Sequence, residues 1–274
     1  MDELVFLKLG GSLITDKTQP YTVRRDKLSE LAKEIKSALA RTLRQAQDGA
    51  PELRLVIGHG SGSFGHYAVT EHYPNLEIRE KKDWLGFNEV WYRASQLNRY
   101  VIEALHDAGV PAMAIQPSAA VISRNGVVEH WDLSPLKAAL KAGIAPVIYG
   151  DMTFDLTKGG TVLSTEVLMF YLAQQLRPQR ILLAGLEAAV WADFPARRQR
   201  VEKVTPANYD AVAGKVGGSH GTDVTGGMKS KVEEMLRLVQ TIPQMTVQIF
   251  SGEESGNVER ALNGAMLGTV IVRD

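Results

Sequence analysis

The amino-acid sequence predicts an α/β fold: a three-layer αβα sandwich on a largely parallel central sheet, with β-hairpins inserted. Three observations carry this. Short apolar runs recur along the chain, separated by stretches long enough for a helix, which is what crossovers between parallel strands require. The runs are continuously apolar rather than alternating, as in strands buried on both faces. Glycine-rich turns follow several of them, at the strand ends where open parallel sheets receive ligands.

Leu4-Val5-Phe6-Leu7 is the first predicted strand, and Leu28, Leu31, Ala32, Ile35 and Leu39 then recur at helical spacing. The polar segment from Arg41 to Glu52, with Asp48-Gly49-Ala50-Pro51, is expected to be a surface loop. Leu53 to Ile57 is the next strand, and a long helix is expected from about Phe87 to Ala108. Further strands are expected at Pro111 to Ile115, Ala145 to Tyr149, Arg180 to Ala184, Met245 to Phe250 and Gly268 to Val272. Asn125-Gly126 inside Ala120 to Val128 is a hairpin signal, since that dipeptide suits a type I′ turn. Met152 to Leu163, with Lys158-Gly159-Gly160 at its tip, reads as a second hairpin. A boundary near Leu176-Arg177-Pro178 divides the chain into lobes 1–176 and 177–274 that share one sheet.

Composition excludes several function classes. The 274 residues carry 31 Lys+Arg against 31 Asp+Glu, so nucleic-acid binding through bulk positive charge is disfavoured. There is no cysteine, which removes disulfides, Cys-ligated metals and a thiol nucleophile. No apolar run approaches the ~18 residues of a membrane span, and no leader pattern is visible, so a cytoplasmic protein is expected.

The chemistry is concentrated in three turns. Lys8-Leu9-Gly10-Gly11-Ser12 follows the first strand. Its glycines let the main chain approach a ligand and aim N–H groups at an anion, while Lys8 adds a charge and Ser12 a hydroxyl. A tight strand–helix turn with a solvated lysine is the plainer account. The spacing is not that of a Walker loop. Gly58-His59-Gly60-Ser61-Gly62-Ser63-Phe64-Gly65-His66 follows the second strand. A helix starting near Ser63 would point its positive end at a bound anion, with His66 in contact with it. Gly221-Thr222-Asp223-Val224-Thr225-Gly226-Gly227-Met228-Lys229-Ser230-Lys231 opens a third helix with cations in its first turn, where they oppose the helix dipole unless an anion is present.

These segments resemble the amino acid kinase superfamily and, within it, the isopentenyl phosphate kinases. Lys8-Leu9-Gly10-Gly11-Ser12 is similar to the superfamily's first glycine motif, and Gly226 to Lys231 to its late GGMxxK motif. The Gly60 to His66 run is the feature of the isopentenyl phosphate kinase branch, shared with fosfomycin kinase-like enzymes. Tyr149 to Asp155 and Ser164-Thr165-Glu166 also fit, and the similarity runs over essentially the whole chain. Leu186 to Trp191 carries alanine where glycine is common in the family.

The resemblance implies ATP-dependent phosphorylation of isopentenyl phosphate, with Mg²⁺ accompanying ATP and a homodimeric assembly. It implies that Lys8, Lys17 and Lys231 surround the transferred group. Lys8, Gly10, Gly11, Ser12, Gly62, Gly227 and Lys231 would contact ATP, and Gly60, Ser61, Gly62, His66, Gly150 and Asp151 the acceptor. Glu166 is an expected organising carboxylate, and Trp84, Phe87, Val90 and Trp91 are expected to wall the apolar pocket, which Ile115 to Ser118 would close. Two rival readings remain: a related kinase for a phosphonate or other acid, and a non-catalytic nucleotide-binding sensor. A carboxylate substrate would want arginines, of which Arg79 and Arg93 are the nearest in sequence. A sensor would have no use for three converging lysines.

Overall fold

The computed structural model describes residues 2–213 and 227–274. The first half runs β1 (Glu3–Leu9), α1 (Gly11–Ile14), α2 (Arg25–Gln47), β2 (Leu53–His59), α3 (Gly62–His72), α4 (Asp83–Asp107) and β3 (Ala112–Ala114). It continues through α5 (Pro117–Ala120), β4 (Val121–Arg124), β5 (Val127–Trp131), α6 (Ser134–Lys141), β6 (Ala145–Tyr149), β7 (Asp151–Asp155), β8 (Gly159–Leu163) and α7 (Thr165–Leu176). Then follow β9 (Arg180–Gly185), β10 (Val190–Trp191), β11 (Arg200–Val201), β12 (Lys203–Val204) and α8 (Tyr209–Ala213). Last come α9 (Gly227–Thr241), β13 (Thr246–Ser251), α10 (Asn257–Leu262) and β14 (Thr269–Ile271).

Eight strands form one sheet in the order β12-β14-β13-β9-β1-β2-β6-β3. β1 is central and pairs in parallel with both β2 and β9, while β14 runs antiparallel to β13. Alternate residues of β1 feed opposite faces. Val5, Leu7 and Leu9 join the layer holding Leu31 and Ile35 of α2, Leu97 and Val101 of α4, and Val258 of α10. Phe6 joins the layer holding Leu136 of α6, Leu168 and Leu172 of α7, and Met235 and Val239 of α9. This is the predicted three-layer arrangement. Both faces of the sheet are covered, so its strands need apolar residues at every position.

A second, four-stranded sheet has the order β5-β4-β7-β8. Asn125 and Gly126 both adopt positive φ (49° and 79°), as the hairpin signal requires. The Asp155 carboxylate accepts from the amides of Asn125, Gly126, Thr157 and Lys158, so one side chain ties the two hairpin turns together. Burial works against its charge, but the amide donors outweigh that and hold its carboxyl far below the ordinary range.

Three expectations need correction. Arg41 to Glu52 is not a loop: α2 continues to Gln47 and only 48–52 connects to β2. Leu43 to Gln47 are all strong helix formers, and no Gly or Pro occurs between Arg41 and Gly49, which takes φ 90°. The long helix begins earlier than expected, at Asp83, whose carboxylate accepts from the Arg79 and Glu80 amides. Gly159 and Gly160 are not a hairpin tip; they lie in β8, paired with Asp155 and Phe154. Among the described residues no helix is long and apolar enough to cross a membrane.

Candidate active site

β1 and β2 are in parallel register, so their C-terminal ends, Leu9 and His59, deliver two glycine turns side by side. The Gly60 amide donates to the Leu9 carbonyl (3.0 Å) and the Gly10 amide to the Ala184 carbonyl (2.8 Å). The turns then touch backbone to backbone. A Cβ on Gly60 would stand 2.8 Å from the Gly11 nitrogen, and one on Gly11 would collide with Gly62. Glycine is therefore required by close approach, and at Gly62 also by its φ of 51°. Thr15 laces the pair: its hydroxyl donates to the Gly11 carbonyl (2.8 Å) and accepts from the Ser63 amide (3.0 Å).

A cleft of about 610 Å³ opens beyond these strand ends, within the size range of small-ligand sites. Lys8, Gly10, Gly11, Ser12 and Lys17 form one wall, and Gly60, Ser61, Gly62 and His66 another. Glu166 enters from the first turn of α7, and Lys231 and Glu234 from one side of α9. Lys8 and Glu166 are buried and form an ion pair. Burial pushes the Glu166 carboxyl up, but Lys8 and then Lys231 outweigh it and hold it below its ordinary value. Burial, followed by the Glu166 charge, raises the Glu234 carboxyl. Lys8 and Lys231 thus share one electrostatic neighbourhood, although 223 positions separate them (231 minus 8).

His66 lies one turn into α3, with its ring edge-on to Tyr67 (centroids 5.8 Å). Among the described residues its imidazole has no hydrogen-bond partner. Gly150 also lines the cleft, but Asp151 does not. The Asp151 carboxylate is buried and accepts from the Ser118 and Met152 amides, so it organises the chain behind the wall. Gly227 starts α9 at φ 71° and is buried; of that turn, Met228 and Lys231 reach the cleft. The Gly221 to Gly226 part of the motif lies outside the described residues.

The expected apolar wall is displaced by one layer. Trp84, Phe87, Val90 and Trp91 do not line the cleft; Val69, Leu76 and Val162 do. Phe87 and Val90 are buried behind them, with Trp91 packed alongside. Trp84 packs on Phe87 and Phe154 outside (centroids 5.4 and 6.0 Å). Ile115 to Ser118 does not reach the cleft either. Among the described residues no arginine lines the cleft: Arg79 pairs with Glu77, and Arg93 stacks over Tyr21 (4.3 Å) while bonding Glu89. The opposite end of the cleft is apolar again, with Leu186, Ala189, Trp191, Phe194, Met228 and Ile249.

Sequence reasoning missed His59, Asn98, Thr15 and Glu234. A histidine immediately before a glycine turn was a visible signal for the first. Asn98 carries no local motif, and its place follows from the packing of α4 on α3, which brings it to His59 at the end of β2.

The family model described as "Amino acid kinase family" matches residues 3–251. The chain belongs to the amino acid kinase family. Within that family it is 33% identical to the isopentenyl phosphate kinase of Methanocaldococcus jannaschii, over 98% of each chain. It is 34% identical to the isopentenyl phosphate kinase of Haloferax volcanii, over 94% of this chain and 98% of that one. A crystal structure of an isopentenyl phosphate kinase superimposes with a TM-score of 0.79 at 28% identity, covering 98% of this chain and all of the other. A product complex of the Thermoplasma acidophilum enzyme shares the fold, with a TM-score of 0.75 at 21% identity. The amino acid kinase family fold thus spans the sheet and both helical layers.

Proposed function

We propose that this chain transfers the γ-phosphoryl group of ATP to isopentenyl phosphate, giving isopentenyl diphosphate and ADP. The observation that carries the reading is the meeting, in one cleft, of Lys8, Lys17 and Lys231 with the glycine turns and His66. Two polyanions must face each other before reaction, and cations with main-chain amides offset that repulsion.

The acceptor phosphate sits against Ser61 and Gly62 at the start of α3, where N–H groups and the helix dipole favour an anion, and His66 donates to it. One acceptor oxygen attacks the γ-phosphorus as the bond to the β-phosphate bridging oxygen breaks, and ADP leaves with that electron pair. A phosphate monoester is already a nucleophile near neutral pH, so no general base is needed. Lys8, held by Glu166, and Lys231 flank the group in flight, with Lys17 closing from the loop after α1. Gly10, Gly11 and Ser12 give donors to the β- and γ-phosphates.

Mg²⁺ would enter on ATP and neutralise donor-phosphate charge, with oxygen ligands from the phosphates and water. The wall chemistry fits a metal carried in this way: Glu166 is engaged by Lys8, and Glu234 is the carboxylate beside Lys231 that would hold an outer-shell water. The apolar ends support one placement of the two substrates. Val69, Leu76 and Val162 suit a short branched hydrocarbon next to the acceptor turn. Leu186, Trp191, Phe194 and Ile249, in the 177–274 lobe, suit an adenine ring. The absence of arginine among the described residues that line the cleft disfavours a carboxylate acceptor.

The test is incubation with MgATP and isopentenyl phosphate, followed by phosphorus NMR. New diphosphate doublets and ADP are expected. No turnover there, with brisk turnover of a phosphonate, overturns the substrate assignment.

A further inference from the structure

His59 is the last residue of β2 and is completely buried. Its ring stacks on Tyr149 (centroids 5.4 Å, planes 7° apart). Both ring nitrogens are engaged: Nδ1 lies 3.1 Å from the Gly60 carbonyl oxygen, and Nε2 lies 3.2 Å from Oδ1 of the Asn98 carboxamide on α4. Its own carbonyl accepts from the Thr165 hydroxyl (2.6 Å) and the Gly150 amide (3.4 Å). Thr165 adjoins Glu166, so one residue joins the acceptor turn to the element that holds Lys8.

We propose that His59 is a positioning residue, whose Nδ1–H pins the Gly60 carbonyl inward and so turns the Ser61 amide outward to the acceptor phosphate. The inference rests on placing that phosphate at the Gly60–Gly62 turn. A trans peptide is planar, with its C=O and N–H pointing opposite ways. Fixing one end of the Gly60–Ser61 unit therefore fixes the other. Ser61 lines the cleft, and its N–H donates to no group among the described residues. Glycine at position 60 is needed for the close approach to Gly11, but it leaves this peptide free to rotate, and the imidazole removes that freedom.

The protonation state agrees. Burial pushes the ring's pKa down to about 4, so it is neutral near pH 7 and carries one N–H. The Gly60 oxygen can only accept, whereas a carboxamide can present either end. The proton therefore belongs on Nδ1, and the Asn98 carboxamide serves Nε2 turned end for end, with its NH₂ in the position of Oδ1.

The experiment compares wild type, His59→Phe and His59→Asn, varying isopentenyl phosphate and MgATP in turn and recording thermal unfolding of each. Phe keeps the stack on Tyr149 without a donor; Asn puts an amide nitrogen where Nδ1 stood. His59→Phe is expected to raise the acceptor KM about tenfold or more while the ATP KM stays within about twofold, and His59→Asn to recover most of the loss. Equal losses toward both substrates, or no recovery in His59→Asn, overturn the proposal. A second measurement uses wild type alone and does not depend on variant folding. Nitrogen-15 spectra should show Nδ1 protonated and Nε2 bare, and the Ser61 amide should shift on titration with inorganic phosphate. The opposite tautomer, or an unmoved Ser61 amide, overturns it too. Wild type inactive on isopentenyl phosphate counts against the substrate assignment alone, and the tautomer and phosphate titration then decide His59.

Discussion

Lys8 and Glu166, 158 positions apart in sequence, form an ion pair at the floor of the cleft, 7% and 8% exposed. Lys8 is the penultimate residue of the buried strand β1, and Glu166 lies in the first turn of α7, whose N-cap is Ser164. The carboxylate neutralises and aims an ammonium that would otherwise be costly to bury. Removing one partner of such a pair strands the other.

Glu166→Gln is accordingly expected to cost about 3 kcal/mol of stability near pH 7 by denaturant unfolding. The Glu166 carboxyl is held below its ordinary value, so its stabilising contribution is present above the ordinary carboxylate range. That contribution fades as pH falls through the lowered value. The gap between wild type and variant should therefore narrow in acid. A gap that widens there contradicts the ion-pair account.

His66→Ala should lower kcat at least tenfold, or by ~1.4 kcal/mol of barrier, with little effect on unfolding. His66 is partly exposed and its ring bonds to nothing among the described residues, so truncation leaves no orphaned partner. Unchanged steady-state kinetics remove it from the chemistry.

Gly11→Ala places a methyl group against the Gly62 backbone. Relief means separating the two glycine turns, to which the proposed function assigns the donor and acceptor phosphates. A loss of about 100-fold in kcat/KM is expected, since a displacement near 1 Å has that effect on aligned reactants. Activity within a factor of a few of wild type would show that the turns need not touch.

Asp151→Asn tests the carboxylate behind the wall. Burial raises the Asp151 carboxyl to about 6. Between its ordinary value near 3.8 and that value, the folded state holds the extra proton, so stability falls as pH rises through this window. Stability of the variant relative to wild type should improve from pH 4 to pH 6 in paired thermal melts. A constant difference across that range denies the shift.

The sheet was legible because its strands are buried on both faces. Continuous apolar runs such as Leu4 to Leu7 have few other readings, and the glycine turns declare themselves wherever backbone meets backbone. The end of α2 was obscured because polar helix formers after Arg41 look like a loop in composition. The apolar wall was misplaced for a related reason. Phe87 and Val90 have the right character, but only packing decides whether a residue on α4 faces a cavity or backs the residues that do.

The sequence by itself determined the order of strands and helices, the glycine turns with their adjoining lysines, and the lack of thiol chemistry. Tertiary structure alone decided which distant groups meet: Lys8 with Glu166, His59 with Asn98, Thr15 with both turns, and Val69, Leu76 and Val162 along one wall. The division has a physical cause. Local propensity and hydrophobic periodicity are written over a few consecutive residues, whereas a site is assembled by parallel register and helix packing, which join positions far apart in sequence, 39 for His59 and Asn98 and 158 for Lys8 and Glu166.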